Sequence, residues 1–196
     1  MKDYSIVVPL FNEKESIEEL HSEIKGVLDG MNKTYEIIFV DDGSSDGSIA
    51  ALQELAKKDP HLKVIRLRKK YGKSSALCAG FEYAAGNIVI TMDADLQDDP
   101  SEIPMLVKKM EENYDLVSGW RYGRKAGLFR IIASRTFNFV LASLSRLKLH
   151  DFNCPFKAYK KEVIKGVQPL FSNHFNLTVE LPLKAIIRGY SYATVP

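Results

Sequence analysis

The sequence predicts an α/β domain with a mostly parallel central sheet and helices on both faces. Short apolar runs typical of buried strands alternate, over residues 1–120, with segments whose apolar residues recur at helical spacing. Polar clusters follow directly after several of these runs, where ligand-binding residues lie in sheets of this kind. At 196 residues, with 45% hydrophobic and 27% charged residues, the chain has the size and composition of one globular domain.

A proline marks the end of the first predicted strand, and a capping pattern marks the start of the first predicted helix. Tyr4–Pro9 is an apolar run that stops at a proline, which has no N–H to donate within a sheet. Asn12 is expected to cap the next helix, with Glu15 three residues later as in a capping box. The helix is expected to run to about Gly30, because apolar residues recur along one face of it. These residues are Ile17, Leu20, Ile24, Val27 and Leu28.

The next two strands flank a loop and a helix. Tyr35–Val40 is predicted as a second buried strand, and it breaks into Asp41–Ser48, a loop built from turn-forming residues. A helix follows through Leu55. Leu62–Leu67 is predicted as the third strand, which continues the alternation of strands and helices.

The remaining predicted elements surround the stretch Asn87–Gln97, around which the chain is organised. A helix is predicted over Ser74–Ala85. The stretch Asn87–Gln97 begins with an apolar run, which predicts a buried strand. Another helix begins near Pro100 and runs through Met110. Leu116–Trp120 is a further predicted strand, after which the pattern changes.

Composition and termini suggest the compartment and the partners. The net charge is only +2, so the charge balance of the whole chain says little about partners. We expect no nucleic acid among them. Cys78 and Cys154 lie far apart without metal-type spacing, which favours reduced thiols in a cytosolic setting. The N-terminus lacks the apolar core of a signal peptide, and no run reaches the roughly 18 apolar residues of a spanning helix.

Two carboxylates one residue apart end the apolar run of the organising stretch. Asp93 and Asp95 are expected to point to the same side, because side chains alternate along a strand. Like charges so close repel unless a cation lies between them, and oxygen ligands suit Mg2+ or Mn2+. Gln97 adds a carboxamide. The alternative for a bare Asp-x-Asp is an acidic turn after a strand.

Two further polar clusters follow predicted strands. Asp41 and Asp42 are strand-end carboxylates that can accept hydrogen bonds from ribose hydroxyls or base N–H groups. The alternative is a loop in which an Asp or Ser caps the next helix. A basic run after the third strand lies where phosphates bind well, although a solvated surface is the alternative for most of it. Its members are Arg66, Arg68, Lys69, Lys70 and Lys73.

The window from Leu116 to His150 contains no acidic residue. Within it, the segment Leu128–Leu147 combines basic residues with apolar positions that cover most of a helix circumference. A basic, aromatic-rich helix of this kind fits the surface of an anionic membrane. The alternative is a helix packed on the sheet with snorkelling arginines. The seven basic residues of the window are Arg121, Arg124, Lys125, Arg130, Arg135, Arg146 and Lys148.

Taken together, these residues resemble the family 2 glycosyltransferases of the GT-A fold, a Rossmann-like α/β fold. Within that family the chain is most similar to the dolichol-phosphate mannosyltransferases and the bacterial polyprenyl-phosphate glycosyltransferases. The resemblance covers almost the whole chain, and Asp-Ala-Asp-Leu-Gln is a specific signal. The matching pieces are Val7–Glu13, Val40–Asp46, Gly72-Lys73, Met92–Gln97, Gly119–Tyr122 and Ser134–Asn138.

The resemblance implies a nucleotide-sugar donor, UDP- or GDP-linked, bound together with Mg2+ or Mn2+. The expected donor-binding residues are Pro9, Asn12, Glu13, Asp41, Asp42, Lys73 and Asp93. The expected metal ligands are Asp93, Asp95 and Gln97.

The resemblance also implies a site for the phosphate of the acceptor. Arg121 and Arg135 would hold that phosphate or the diphosphate, and with Asp95 they are the expected catalytic residues. The family often reads Ser-Gly-Phe-Arg where this chain has Cys154-Pro155-Phe156-Lys157. Lys157 is therefore assigned to the acceptor phosphate in place of an arginine.

The implied reaction is direct attack on the anomeric carbon, which inverts its configuration. A metal would neutralise the leaving nucleoside diphosphate as a Lewis acid. A hydroxyl acceptor would need a general base, whereas a lipid phosphate is already anionic near pH 7 and needs cations to position it. No histidine lies in a matched piece, and Glu180 is only a weak candidate for the base. A polyprenyl phosphate acceptor is therefore favoured.

The predicted organisation is a single catalytic domain over 1–196. Residues 1–120 would form the half that binds the nucleotide sugar, and residues 121–196 the half that faces the acceptor and the membrane. Relatives continue with a strand, a basic loop and often membrane helices, so we expect the chain to be truncated at its C-terminus. The expected location is cytoplasmic, peripheral on the inner face of the membrane.

Other functions remain open from sequence alone. Within the family, the alternative is a transferase that acts on a saccharide or protein hydroxyl. A non-catalytic module that binds sugar nucleotides is a second alternative. A dehalogenase-type phosphatase also uses a strand-end Asp-x-Asp, but it expects Thr or Val where this chain has Gln97.

Overall fold

The computed structural model describes residues 2–120, 154–171 and 177–195. The strands in these ranges are β1 (Lys2–Leu10), β2 (Tyr35–Asp41), β3 (Leu62–Arg66), β4 (Gly86–Thr91), β5 (Leu116–Gly119), β6 (Lys157–Lys160) and β7 (Tyr192–Val195). The helices are α1 (Ile17–Gly30), α2 (Ser48–Lys58), α3 (Lys73–Tyr83), α4 (Ile103–Glu111), α5 (Lys161–Gly166) and α6 (Leu177–Ile187), and a short 3-10 turn (Pro100–Glu102) precedes α4.

All seven strands of the described ranges form one mixed sheet, in the order β3-β2-β1-β4-β6-β5-β7. Strand β1 pairs in parallel with β2 and β4, β2 with β3, and β5 with β7. Strand β6 runs antiparallel to both of its neighbours, β4 and β5. The predicted mostly parallel α/β sheet is therefore confirmed, whereas β6 and β7 were not foreseen.

Helices cover both faces of the sheet, and each face has its own apolar core. Along β1, Ile6 and Val8 point into the core beneath α1, α2 and α4, while Val7 points into the core beneath α3, α5 and α6. This alternation follows from the two-residue period of a strand. Because both faces are covered, each central strand contains an unbroken apolar run, as buried parallel strands do. These runs are Ile6–Leu10, Ile37–Val40 and Ile88–Ile90.

Helix α3 lies unusually close to the sheet because of one glycine. A Cβ added at Gly80 would stand 2.3 Å from Cγ1 of Val7 and 3.3 Å from Cγ2 of Val40. Both distances are shorter than ordinary van der Waals contact, so only hydrogen can fit between helix and sheet at this point. The close approach holds the first turn of α3, which begins at Lys73, near the carboxyl ends of β1 and β2.

The register of the central strands brings the predicted polar clusters to one edge. Leu10 pairs with Asp41, and Val7 with Thr91, so β1, β2 and β4 end next to each other. The backbone N–H of Asp42 donates to the carbonyl of Leu10 at 2.9 Å. The loops after these three strands are therefore held side by side.

Two of the boundaries that differ from the sequence prediction affect candidate site residues. Helix α1 begins at Ile17, so the predicted capping role of Asn12 is wrong: its φ of 57° is left-handed, and Ser16 takes the N-cap position. Strand β4 ends at Thr91, so the Asp-x-Asp sequence lies in the loop beyond the strand. Strand alternation therefore does not explain the placement of Asp93 and Asp95.

Several predictions fall outside the described residues, among them those on Arg121, Arg135 and the segment Leu128–Leu147. Across the ranges that are described, no helix combines the length and the apolar character needed to cross a membrane.

Candidate active site

A cavity of about 330 Å3 opens at the carboxyl ends of β1, β2 and β4. Its walls come from the loops after β1, β2, β3 and β4, together with the first turns of α3. In sheets of this type ligands bind at this edge. The lining residues are Pro9, Leu10, Phe11, Glu13, Asp42, Lys70, Gly72, Lys73, Ala76, Asp93, Ala94 and Asp95.

The loop after β4 presents both carboxylates of Asp-x-Asp to the cavity. The buried Asp98 fixes the start of this loop, because its Oδ2 accepts from the backbone N–H of Asp93 at 3.0 Å. Oδ1 of Asp95 accepts from the N–H of Gln97 at 3.2 Å, and Leu96 between them has a left-handed φ of 59°. A tight turn, not strand alternation, therefore places Asp93 and Asp95 on one side.

The carboxylate of Asp93 forms an ion pair with the ammonium of Lys73, from Oδ1 to Nζ. Lys73 is the first residue of α3, so the helix N-terminus and the ammonium both bring positive charge to this wall of the cavity. Asp95 is exposed in the same wall. The two carboxylates of the motif thus differ, one being paired with a lysine and the other facing solvent.

Asp42 is a clamp on the loop after β3. Its side chain is 3% exposed, and its Oδ1 and Oδ2 accept from the backbone N–H groups of Tyr71 at 2.7 Å and Gly72 at 2.8 Å. These two bonds fix the backbone just before Lys73. Gly43 allows the close approach, since a Cβ there would stand 2.7 Å from the carbonyl carbon of Lys69.

The loops after β1 and β2 are fastened together by side chains that bond to the backbone of the other loop. Asn12 Oδ1 accepts from the N–H of Ser45 at 2.9 Å, while the N–H of Asn12 donates to Ser44 Oγ at 2.8 Å. The N–H of Glu13 donates to Ser48 Oγ at 3.2 Å. These three hydrogen bonds hold Glu13 at the cavity. Asn12 does not itself line the cavity, but it stabilises the loop that does.

Negative charge is concentrated at the cavity. Burial raises the pKa of Glu13 above its ordinary value of 4.5, and the nearby charges of Asp95, Asp46 and Asp93 raise it further. The lining carries four carboxylates against the two ammonium groups of Lys70 and Lys73. The lining therefore carries an excess of acidic over basic side chains.

The lining contains residues that the sequence did not single out. Phe11 belongs to a matched piece but had no assigned role, and the ammonium of Lys70 lies 3.7 Å from the centre of its ring. Ala76 and Ala94 supply small apolar walls. A signal for Phe11 was present, because it stands between the lining residues Pro9 and Glu13 in the loop that follows β1.

Other predicted residues lie near the cavity without lining it. Asp41 is fully buried beneath it, and its Oδ1 accepts from the N–H of Ser44 at 3.1 Å. Gln97 is exposed in the turn that follows Asp95. Lys157, the first residue of β6, is 1% exposed and its Nζ donates to the carbonyl of Cys154. The ammonium of Lys157 is thus buried and bonded to a backbone carbonyl, which does not favour its predicted contact with the phosphate of an acceptor.

Neither Glu180, the weak candidate for a general base, nor His21 lines the cavity. His21 Nε2 lies 2.8 Å from Oδ2 of the buried Asp59, away from the cavity lining. Glu180 accepts from the N–H of Phe171 at 2.9 Å and pairs with Lys184 at 2.6 Å. These contacts make Glu180 a brace for the residues before α6.

The chemistry of the donor set fits a hard divalent cation that is shared with a ligand. No cluster of three His, Cys, Asp or Glu side chains suited to holding a metal by themselves occurs in the described ranges. Asp93 and Asp95 supply carboxylate oxygens from one turn, and Mg2+-type ions are commonly held by one or two carboxylates plus substrate phosphates. The site therefore fits a metal whose remaining ligands come from a bound diphosphate.

A mixed sheet in this strand order, with an acidic cavity after β4, defines a domain of the GT-A class. The chain matches the description "Glycosyl transferase family 2" over residues 5–167, and it belongs to that family. The resemblance drawn from the sequence pieces is thereby confirmed.

One relative is the undecaprenyl-phosphate 4-deoxy-4-formamido-L-arabinose transferase of Edwardsiella ictaluri (strain 93-146). It is 39% identical over 192 residues, and the match covers 92% of this chain. The chain spans only 59% of the length of that relative.

The fold is also that of solved glucosyl-3-phosphoglycerate synthase structures from Mycobacterium tuberculosis. The complex with Mn2+, UDP and phosphoglyceric acid has a TM-score of 0.80 at 22% identity, covering 99% of this chain and 68% of that one. The complex with Mn2+ and UDP-glucose has a TM-score of 0.77 at 22% identity, covering 99% and 68%. At this level of identity the similarity establishes the fold alone.

Proposed function

We propose that this chain is the catalytic domain of an inverting, metal-dependent glycosyltransferase. It moves a sugar from a UDP- or GDP-linked donor to a polyprenyl phosphate at the cytoplasmic face of a membrane. The observation that supports it most strongly is the acidic cavity after β4, where Asp93 and Asp95 are presented together. The name of the 39% identical relative, a transferase to undecaprenyl phosphate, supports the class of acceptor.

The negative charge of the cavity supports the need for a metal. A nucleoside diphosphate is itself an anion, and the lining has twice as many carboxylates as ammonium groups. Mg2+ or Mn2+, when bound, offsets the charge that develops on the leaving diphosphate. Asp93 and Asp95 would hold that ion, and Lys73 at the N-terminus of α3 would contact the diphosphate.

The remaining donor contacts follow from the walls of the cavity. Pro9 and Phe11 supply apolar surface for a base, and Glu13 supplies a carboxylate suited to ribose hydroxyls. Asp42 orients the backbone of Tyr71 and Gly72 beside them. This chain thus binds and orients the donor through the ends of three neighbouring strands.

The acceptor half of the proposal rests on charge. A lipid phosphate needs no general base, and among the described residues that line the cavity there is no histidine. Arg121 and Arg135 follow β5 in sequence and are proposed to position this phosphate. Direct attack by the phosphate oxygen on the anomeric carbon breaks the bond to the diphosphate and inverts the configuration.

The experiment is a turnover assay with UDP- and GDP-sugars, undecaprenyl phosphate and Mn2+, in detergent. We expect glycolipid formation that EDTA abolishes and that Asp95→Ala removes while the fold is retained. A matched control is Asp99→Ala, because Asp99 is an exposed carboxylate in the same loop that caps the 3-10 turn and does not line the cavity. Nucleotide binding without turnover would favour a non-catalytic module, and transfer only to hydroxyl acceptors would refute the lipid phosphate.

Membrane contact is proposed separately, through the segment Leu128–Leu147. Each basic residue near an anionic surface contributes about 1 kcal/mol, and buried aromatic side chains add an apolar term. Co-sedimentation should therefore be strong with anionic vesicles, weak with neutral ones, and reduced but not abolished by salt. A chain that ignores anionic vesicles at low salt would contradict the membrane role and favour a soluble acceptor.

A further inference from the structure

The two lysines of the cavity have different partners. Nζ of Lys73 is paired with Oδ1 of Asp93, and the two side chains are 18% and 26% exposed. The ammonium of Lys70 instead lies over the ring of Phe11. In this structure Lys73 therefore occupies a carboxylate oxygen of the motif assigned above to the metal.

An ammonium and a divalent cation cannot share that oxygen without cost. Both are attracted to the carboxylate, but they repel each other, and the repulsion between a unit and a double charge a few ångströms apart remains appreciable even at high dielectric. Lys73 must move away from Asp93 before a metal can bind there closely. A bound diphosphate offers the displaced ammonium a new anionic partner.

The backbone around Lys73 is built to stay in place during such a move. Asp42 holds the N–H of Gly72, the residue immediately before Lys73, and Gly80 seats α3 against the sheet. Only the four-carbon side chain of Lys73 needs to swing. The exchange of partners therefore requires a change of side-chain rotamer and no movement of the helix.

We propose that Lys73 is a resident counterion that makes metal binding depend on the donor. Without donor, Lys73 neutralises Asp93 and weakens the binding of a free divalent cation. When the donor diphosphate binds, the ammonium of Lys73 transfers from Asp93 to the diphosphate, and Oδ1 of Asp93 would then be available to hold a divalent cation. This inference rests on the proposed role of the metal, and it makes Lys73 a positioning residue for Asp93 as well as a donor contact.

The test is a titration of the full chain with Mn2+, followed by electron paramagnetic resonance of the free ion. It is run without nucleotide and with saturating UDP or, in parallel, GDP. The test variant is Lys73→Met, which removes the charge but keeps the approximate length of the side chain. The matched control is Lys70→Met, because Lys70 also lines the cavity but its ammonium lies over the ring of Phe11. Lys73→Gln serves as the second variant should Lys73→Met fold poorly.

Without nucleotide, Lys73→Met should bind Mn2+ about tenfold more tightly than the parent, because a positive charge beside the site is gone. Lys70→Met should change the affinity much less. With nucleotide, we expect the parent to bind Mn2+ more tightly than Lys73→Met. The parent gains strongly in Mn2+ affinity when nucleotide binds, whereas Lys73→Met gains little because it has no ammonium to contact the diphosphate. This opposite response distinguishes a counterion from an ordinary ligand contact, whose loss would weaken binding in both conditions.

Two outcomes would overturn the inference, and they are distinguishable. In the first, the parent binds Mn2+ in the presence of nucleotide, but Lys73→Met binds Mn2+ no more tightly than the parent in its absence. This result would refute the exchange of partners by Lys73 and leave the proposed metal dependence intact. If no form binds Mn2+ even with nucleotide, the proposed metal dependence fails and the exchange fails with it.

Discussion

The replacement Asp42→Asn tests whether the carboxylate at the end of β2 is a ligand contact or a structural clamp. The Asp42 side chain is 3% exposed, and each of its oxygens accepts one backbone N–H, from Tyr71 and from Gly72. An asparagine has only one oxygen to accept with, and its NH2 group would face the second N–H. One hydrogen bond is therefore lost, and the other loses the benefit of the charge.

The cost follows from these two bonds. Hydrogen bonds to a charged group contribute about 1.5–3 kcal/mol each, and neutral ones about 1 kcal/mol. Relief from burying a charge offsets part of the loss, so we expect Asp42→Asn to lower the free energy of unfolding by about 2 kcal/mol, roughly a 30-fold change in the folding equilibrium. Donor affinity should fall as well, because the loop that leads into Lys73 and α3 is held less firmly.

The assay is urea unfolding followed by circular dichroism, with calorimetric titration of UDP or GDP in the presence of Mn2+. Asp95→Asn is the matched control, because Asp95 lies in the same cavity but is exposed, and its recorded hydrogen bond is to the N–H of Gln97. The control should lose nucleotide binding and keep its stability. An unchanged free energy of unfolding in Asp42→Asn would refute the structural role of the Asp42 carboxylate. Unchanged nucleotide affinity would show that the nucleotide does not bind at the wall of the cavity that Asp42 supports.

Three further results are expected. Asp95→Ala should abolish metal-dependent nucleotide binding in calorimetry and leave the circular dichroism spectrum intact; unchanged affinity would rule out Asp95 as a metal ligand. Gly80→Ala should lower the free energy of unfolding by about 1–3 kcal/mol, because its Cβ would meet Val7 at 2.3 Å; equal urea midpoints would show that α3 can shift. Because the pKa of Glu13 is raised on folding, its ionised form costs stability as pH rises through that pKa. Glu13→Gln should therefore be more stable than the parent at pH 7, with the advantage gone below about pH 4 on thermal melts; a constant difference across pH would contradict this.

The sequence was informative wherever a pattern is set by local geometry. Apolar runs and helical spacing predicted the strands and helices of residues 2–120, because burial on both faces of a parallel sheet selects such runs directly. The clustering of Glu13, Asp42 and Asp93 at one edge followed from the rule that parallel strands end together. These predictions needed no knowledge of long-range pairing.

The sequence was uninformative where partners are distant along the chain. Asn12 has the features of a helix cap, yet its side chain bonds to Ser45, 33 residues away. Asp42 has the features of a ligand residue, yet it binds backbone groups 29 and 30 residues further on. Strand β6 is four residues long and inserts between β4 and β5, an order that no local pattern specifies.

That insertion of β6 has a consequence for how such a domain diversifies. Strand β5 ends at Gly119 and β6 begins at Lys157, and the N–H of Gly119 donates to the carbonyl of Phe156 at 2.8 Å. The end of β5 and the residue before β6 are thus hydrogen-bonded neighbours. Lengthening a flexible connection between two such ends costs only about 0.6 kcal/mol in closure entropy for each doubling of its length. We therefore expect changes in the length of the sequence between β5 and β6 to leave the antiparallel pairing of these two strands in place.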